Sequence, residues 1–502
     1  MKVINLIILS LALLSSGCKK FLTEASQDMQ YANTAERLQE TLVGSGYMPH
    51  MTATPFASYG PTNAPMYWPW LNSMDDDITE FIKGPYVFDV RTLVFGAYTW
   101  QKNPFVNKDF QVQNDDTWSK TYTNIAALNS IIAKTATIKN NPGLLTKLKG
   151  EALFLRAEYY FYMVNLYANA YNPAKATTDL GVPLKTSEFV QDQFFTRSTV
   201  DSVYRQIVAD LDAAATCLDT VVQPNIYHAD INAVNLLQSR VYLYMQDYPN
   251  AIAAADKVIG RKPVLSNLSA YEPQTSFFSR SSPEAIFTQG GNAMVVLTME
   301  NGLKTMQPTT ELMDLYVPGD LRRTAFFEMD NQGKYRYTKM YMSSTYGIQP
   351  TEIFSDNYYM RSAEAWLNKA EAAAMLGQDG AANDAINTLR AARFTADTYV
   401  PVALAGAGLV NFIRDERRRE LVFEGHRWFD LKRYAIHPKY PFSKTITHTW
   451  SDATVYGQPP VLRATLTLEP NDPAYLVPIP DQAIQYNEGV LLQNPARPDR
   501  TF

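Results

Sequence analysis

Leu148, Ala152, Leu155, Tyr159, Tyr162 and Leu166 recur at the spacing of one helix face, and Phe154, Phe161 and Met163 add apolar surface to its other faces. A helix that is apolar on every side cannot lie on a surface and must be wrapped by other elements. This segment therefore sets the centre of whatever the chain folds into. Helical periodicity elsewhere supplies the wrapping. Val200, Tyr204, Ile207, Leu211 and Leu218 form a second stripe, and Ser198-Thr-Val-Asp201 before it reads as a capping box with Ser198 at the N-cap.

Two segments read as helical hairpins. One runs from Asn232 to Tyr244, turns at Tyr248-Pro249, and continues from Ala251 to Ile259. The other runs from Arg361 to Leu376, turns at Gly377-Gln-Asp-Gly380, and continues from Ala381 to Arg390. Gly377 suits a helix C-terminus, where positive φ is wanted. Ala251 and Ala255 would let paired helices approach closely, as in a tetratricopeptide repeat. The units lie far apart, so the pattern predicts an interrupted helical-repeat scaffold rather than a regular solenoid. From about 44 to 116 and about 266 to 354 the helical period fades and Pro, Gly, Asn and aromatics dominate. Lys334 to Met342 alternates as a strand or hairpin would. Both regions exceed ordinary loop length, and long irregular segments on a rigid scaffold commonly carry function.

The N-terminus reads as an export signal. Lys2 is followed by an apolar run from Val3 to Leu14, then Ser15-Ser16-Gly17-Cys18. That run is shorter than the roughly 20 residues needed to span a bilayer core. It predicts a removable signal peptide over 1–18, with Cys18 as the lipidated residue in a lipobox-like site, and a tether over 19–30. The chain has two cysteines, so lipidation of Cys18 leaves Cys217 without an intrachain partner; its apolar helical setting predicts a small buried side chain.

Composition excludes some classes. A net charge of −5 argues against a polyanion-binding field. Zinc-protease, Cys-x-x-Cys, nucleophile-elbow and phosphate-loop patterns are missing, and the five histidines show no ligand spacing, so the reading is of a protein without enzymatic activity, cofactor or metal. Asp75-Asp76-Asp77 lacks the glycine and spacing of a calcium loop and reads as a solvated turn or helix start. The charges of Asp415 to Arg419, Glu420, Glu424, Arg427 and Asp430 interleave with Leu421, Val422, Phe423, Trp428 and Phe429. That mixture predicts a packed helix end with internal ion pairs, with His426 as a structural hydrogen-bond donor.

The aromatic excess, 31 Tyr, 24 Phe and 7 Trp, points towards recognition. Tyr67-Trp68-Pro69-Trp70 could present flat rigid faces to a sugar ring; it could equally plug the core or face a partner protein. Trp100 is a further candidate, whereas Trp118 shares helical spacing with Tyr122, Ile125 and Leu128 and reads as core. If these rings serve the core, the next place to look is the Tyr-rich stretch from Tyr335 to Tyr346.

The segment from Ile413 to Arg433, IRDERRRELVFEGHRWFDLKR, closely resembles the C-terminal signature of the SusD/RagB family of nutrient-binding outer-membrane lipoproteins. Gly150-Glu-Ala-Leu-Phe-Leu-Arg-Ala-Glu-Tyr-Tyr160, Gly181-Val-Pro-Leu184, Arg361-Ser-Ala-Glu-Ala-Trp366, Tyr475-Leu-Val-Pro-Ile-Pro480 and Gln493-Asn-Pro495 resemble further family segments in order, the last two its closing strand and tail. The resemblance implies a mainly α fold: four tetratricopeptide-like helix pairs with long irregular loop insertions and a few short strands, forming one domain over 31–502. It implies that Trp366 and Trp428 belong to structural helices. It also implies a lipid-anchored protein on the outer membrane, facing the exterior, that captures an oligosaccharide and delivers it to a SusC-like TonB-dependent transporter. Peptide capture, as in the RagB branch, and a purely structural lid are the alternatives. On this reading Tyr67, Trp68, Trp70 and Trp100 are the candidate ligand contacts.

Overall fold

In the computed structural model the centre is the helix that the apolar pattern singled out. The structure describes residues 32–49, 51–52, 67–83, 89–189, 191–272, 275–298, 304–340, 354–452, 455 and 458–500. Cys18, the signal peptide and the tether lie outside the described residues.

Ten helices of seven or more residues build the scaffold among the described residues: α1 (Ala35–Thr41), α2 (Thr117–Thr137), α3 (Pro142–Tyr167), α4 (Val200–Leu218), α5 (Ile231–Tyr244), α6 (Tyr248–Arg261), α7 (Ser362–Met375), α8 (Asp379–Ala391), α9 (Gly406–Glu420) and α10 (Arg427–Ala435). Each packs on the next in a row from α2 through α6; α6 then meets α7, which meets α8 and α9. From Gly150 to Tyr167 every residue of α3 is buried. Its N-terminus is set by Asn141, whose side chain accepts from the Leu144 N–H, with Pro142 at the first helical position.

The hairpins form where the pattern placed them. Leu243 of α5, Ala251 of α6 and Ala372 of α7 make one small cluster, where alanines bring three helices close together. Gly377 ends α7 at φ +75°. Two local expectations are corrected. The cap of α4 is Thr199, not Ser198: Thr199 Oγ1 accepts from the Ser202 N–H, and the Ser198 carbonyl is taken by the Gly181 N–H. The stretch Leu476–Pro480 is not a strand. Its Val477 N–H bonds the Leu166 carbonyl, so the segment caps the end of α3 instead of joining a sheet. Cys217 is half-buried, facing Gly150 of α3, less enclosed than its setting predicted.

The described strands form five two-stranded sheets. They are β1 (Met51–Thr52) with β4 (Gly291–Asn292), β2 (Ile78–Ile82) with β5 (Lys304–Pro308), β3 (Ala285–Thr288) with β8 (Tyr359–Arg361), β6 (Phe327–Met329) with β7 (Tyr335–Tyr337), and β9 (Ile446–Asp452) with β10 (Val461–Leu468). β7 falls within the alternating stretch from Lys334 to Met342, its partner β6 precedes that stretch, and residues 341 and 342 lie outside the described residues. The fold is mainly α with few short strands. Among the described residues, no helix is long and apolar enough to cross a membrane.

Candidate functional site

The two long irregular regions meet. β2 from the first pairs antiparallel with β5 from the second, Ile78 opposite Pro308 and Ile82 opposite Lys304. β1 runs parallel to β4 in the same sense of joining first region to second. The Thr309 N–H donates to the Asp77 carbonyl, and Lys83 Nζ donates to the Gln332 carbonyl at 3.4 Å. The result is one loop layer laid on the helices, and buried charge fastens it there.

Glu416 and Glu420 stand one turn apart on α9. Glu420 accepts from Arg361 at 2.6 Å, from Arg393 at 2.8 Å and from Arg322 at 3.0 Å. Glu416 pairs with Arg322 and accepts from Arg419, and Glu424 accepts from Arg361 and Lys339. Glu284, at the start of β3, accepts from both Arg361 and Arg393. All of these side chains are buried. Burial alone would raise the carboxyls. The guanidiniums reverse it, holding Glu420 well below the carboxylate range and Glu416 down at about 2. Arg322 and Lys339 come from the second irregular region, so the cluster ties that region to α9. Gly425 lets the chain pass: at φ +75° a Cβ there would stand 3.0 Å from the Asn357 Cα.

The first irregular region is tied by Asp75-Asp76-Asp77. The expectation of a solvated turn is corrected, because all three are buried. Asp76 accepts from Arg427 at 2.7 Å and Lys444 at 2.9 Å, and Asp77 from Arg418 at 2.5 Å. Burial, then Asp77 and Asp76, raise Asp75 well above the carboxylate range, so the triplet carries less negative charge than its sequence suggests. Oxygens of the three lie within 4.8 Å of one another, but two of the carboxylates already face cationic side chains. On the far side of α9, Asp430 accepts from Arg417 and Arg433. His426 is buried, and burial with Arg240 and Arg417 nearby holds its pKa well below normal. Its Nδ1 accepts from Arg417 at 3.3 Å, so the expected donor is an acceptor at that atom. Apart from the exposed Asp415, the charges of the run are buried and paired, and the paired carboxylates Glu416, Glu420, Glu424 and Asp430 are held below their ordinary values.

The structure also corrects the placement of the aromatic candidates. Trp68 is 0% exposed, stacked 5.5 Å from the ring of Tyr162 on α3 and 5.9 Å from that of Tyr358. Trp100 is likewise 0% exposed; its ring lies 4.3 Å from that of His448 and its Nε1 donates to the Met74 carbonyl. Trp70 is buried with Nε1 donating to Asp115, and Tyr67 is buried with its hydroxyl donating to Asn124 at 2.6 Å. These rings join the loop layer to the helices and offer no open face to a sugar. Their partners come from α2, α3, β9 and the approach to β8, contacts that a local window of sequence cannot contain. Trp118, Trp428 and Trp450 are buried and Trp366 is partly buried. At the layer's surface stands Tyr335 of β7, half-buried, with the Arg323 guanidinium 5.9 Å from its ring centre and donating to its hydroxyl at 2.9 Å. Tyr341 and Tyr346 lie outside the described residues.

Comparison with known proteins agrees with this architecture. Residues 286–496 match the model of the SusD family, and residues 70–243 match a SusD-like model described as starch-binding associating with outer membrane. SusD-like protein P38 of Formosa agariphila is 24% identical over 382 residues, 63% of this chain and 71% of the relative. A putative sugar binding protein of Bacteroides vulgatus superposes with a TM-score of 0.70 at 22% identity, covering 93% of this chain and 99% of the other. A SusD-like carbohydrate binding protein of the same organism superposes with a TM-score of 0.69 at 21% identity, over 91% and 97% of the two chains. At these identities the two superpositions speak to fold.

Proposed function

The chain belongs to the SusD/RagB family, and from that premise we propose that it is a cell-surface binding lipoprotein that captures an oligosaccharide and passes it to a SusC-like TonB-dependent transporter. The observation that carries this reading is the loop layer: two long irregular regions joined strand to strand and bolted by the buried pairs Arg322–Glu420, Lys339–Glu424 and Asp76–Arg427 to the helices and the turn between α9 and α10. Loops held on a rigid scaffold form a surface suited to recognition. The family description, starch-binding associating with outer membrane, and the sugar-binding names of the structural neighbours favour a glycan over a peptide. With Trp68 and Trp100 enclosed, the stacking face falls to Tyr335, whose neighbour Arg323 supplies charged hydrogen-bond donors beside the ring.

Calorimetric titration with starch-type and other plant and algal oligosaccharides, alongside peptide pools, tests the reading. One glycan class should bind saturably, and Tyr335→Ala should weaken it by about five- to thirty-fold, the scale of ~1–2 kcal/mol for an anchoring aromatic. Saturable binding of peptides with none of glycans would replace the ligand class; binding of neither would leave a structural lid. Delivery is tested by capturing the tagged full chain from native membranes, where a TonB-dependent barrel should accompany it. Anchoring through Cys18 is tested in cells lacking that barrel, where Cys18→Ala protein should leave the membrane fraction; protein that stays would overturn the lipid anchor.

A further inference from the structure

A cavity of about 330 Å³ lies between the turn after α3, the end of α10 and the turn at 470–476, and touches the loop layer only through Lys444, which pairs with Asp76 and Glu311. None of its walls comes from either long irregular region. Its size is at the lower end of the range for small-ligand sites, about 300–1,000 Å³. Its wall is mixed: Asn169, Asn172 and Asn471 bring amides, and Ala435, Ile436 and Pro473 bring apolar surface. That is the lining a single sugar ring, with polar edges and an apolar face, requires.

The charges on the wall decide what kind of ring. Lys432 lines the cavity and is 7% exposed. Its amine donates to the Asn165 and Ala168 carbonyls at the end of α3, and it has no carboxylate within ion-pair distance among the described residues. An ammonium has three donors, so one remains beyond those two bonds. The neighbouring Arg497 is buried as well and donates to the Leu476, Gln101 and Ala474 carbonyls. Elsewhere on the wall, Lys444 is taken by Asp76 and Glu311, and Asp472 is taken by Arg500. The uncommitted charges are then Lys432 and Lys175 against Asp179, an excess of one positive charge. Buried cations are ordinarily paired, and here the pairing anion has a cavity to arrive through.

We propose that this cavity is a second ligand site that binds an acidic monosaccharide unit, a uronic acid, with its carboxylate between Lys432 and Lys175 and its hydroxyls on the asparagine amides. The proposed contacts lie outside the loop layer, so the site can stand or fall without the main reading.

The test uses the full lipid-free chain, titrated by ligand-observed NMR with galacturonic acid, methyl galactoside and sodium acetate. Titration is run at pH 6, below the value of about 7 to which burial and Arg497 lower the Lys432 amine. Galacturonic acid should bind saturably, with methyl galactoside and acetate each at least about tenfold weaker, since the first lacks the charge and the second the ring. Lys175→Gln, at an exposed position, should weaken galacturonic acid by about two- to fivefold, within the range for one solvated ion pair. Lys432→Met should abolish saturable binding. Absence of saturable binding to the wild-type chain, equal binding of the neutral sugar or of acetate, or unchanged affinity in Lys175→Gln overturns the proposal, and the last of these stands even if Lys432→Met fails to fold.

Discussion

The two ends of α10 bury charge in opposite ways. Near its start, across the turn from α9, the carboxylates of Glu416, Glu420 and Glu424 are ringed by six cationic side chains, Arg322, Arg361, Arg390, Arg393, Arg419 and Lys339. Near its end, Lys432 is ringed by carbonyls at the C-terminus of α3. In the first arrangement each charge exists because its partner does, and burial pushes against both. In the second, the partial negative end of a helix holds the cation, and no ion of opposite sign is left behind if it goes. Burial with Arg497 nearby already lowers the Lys432 amine to about 7, so a neutral form is within reach. Two buried charges on neighbouring helices, Glu420 of α9 and Lys432 of α10, should therefore answer very differently to removal.

Glu420→Ala should be the most damaging single change. It leaves Arg322, Arg361 and Arg393 buried without their shared carboxylate. Breaking one buried pair costs about 3–5 kcal/mol, and this change belongs at the top of that range. Denaturant unfolding of the purified chain checks it; a loss under ~1 kcal/mol would mean that the cluster carries little. Trp68→Ala is the uncharged control. Removing a wholly enclosed indole between Tyr162 and Tyr358 should cost about 3–5 kcal/mol, but by lost packing, so the loss should be the same at pH 4 as at pH 7. A wild-type melting temperature, combined with lost glycan affinity, would return this ring to the ligand surface.

Acid separates the two mechanisms further. Glu416, held at about 2 against an ordinary value of 4.5, contributes stability that is complete above its unfolded value and is lost as the pH falls through the folded one. Between about pH 4.5 and pH 2 the wild-type chain should lose on the order of 3 kcal/mol from this group alone, at ~1.4 kcal/mol per unit. Asp356 and Glu158 work the other way. Burial raises each to about 8, so their contribution is complete below the ordinary carboxyl values and is lost as the pH rises through 8. Thermal melts from pH 2.5 to 9 should therefore trace a dome with its maximum on the acid side of neutrality. A flat profile below pH 4.5 would contradict the pairing of the cluster.

The scaffold was legible because it is local. The period of Leu148 to Leu166, the alanines of α6 and α7, and the glycine after α7 each state their role within a few residues. The signature was legible for the same reason, since charges interleaved with Phe423, Trp428 and Phe429 on short helices have nowhere to go but inward, and pairing follows. Trp68 and Trp100 were not legible as core. A Pro-containing segment without a period looks like an open loop, and what encloses it are the rings of Tyr162, Tyr358 and His448, up to about 350 residues away in the chain. The aspartate triplet misled likewise: acidic runs are solvated unless arginines reach them, and Arg418 and Arg427 do so across more than 340 residues. Lys432 gave no signal of its cavity, because the carbonyls it bonds belong to a helix end that any sequence could supply.

Lys432→Met is the smallest effect and the sharpest test of the comparison. The methionine side chain has a similar length and fills the same channel beside α3, so little packing is lost. What disappears is two hydrogen bonds, those to the Asn165 and Ala168 carbonyls. A carbonyl left short of one donor costs about 1–3 kcal/mol when it is sealed from solvent, and the lower part of that range applies where a neighbouring cavity can admit water. Removing the desolvated cation returns part of the cost. The net loss should be about 1–2 kcal/mol, well under that of Glu420→Ala, even though both change one buried charge. It should also shrink as the pH falls from 8 to 6: the unfolded chain's amine is protonated over this whole range, the folded one, held at about 7, takes up its proton only within it, and the wild type loses stability that the methionine variant never had. Denaturant unfolding of both variants at pH 6 and pH 8 gives the four numbers required. If Lys432→Met costs as much as Glu420→Ala at either pH, then the carbonyl-held cation is as indispensable as the paired ones and the distinction between the two ends of α10 fails.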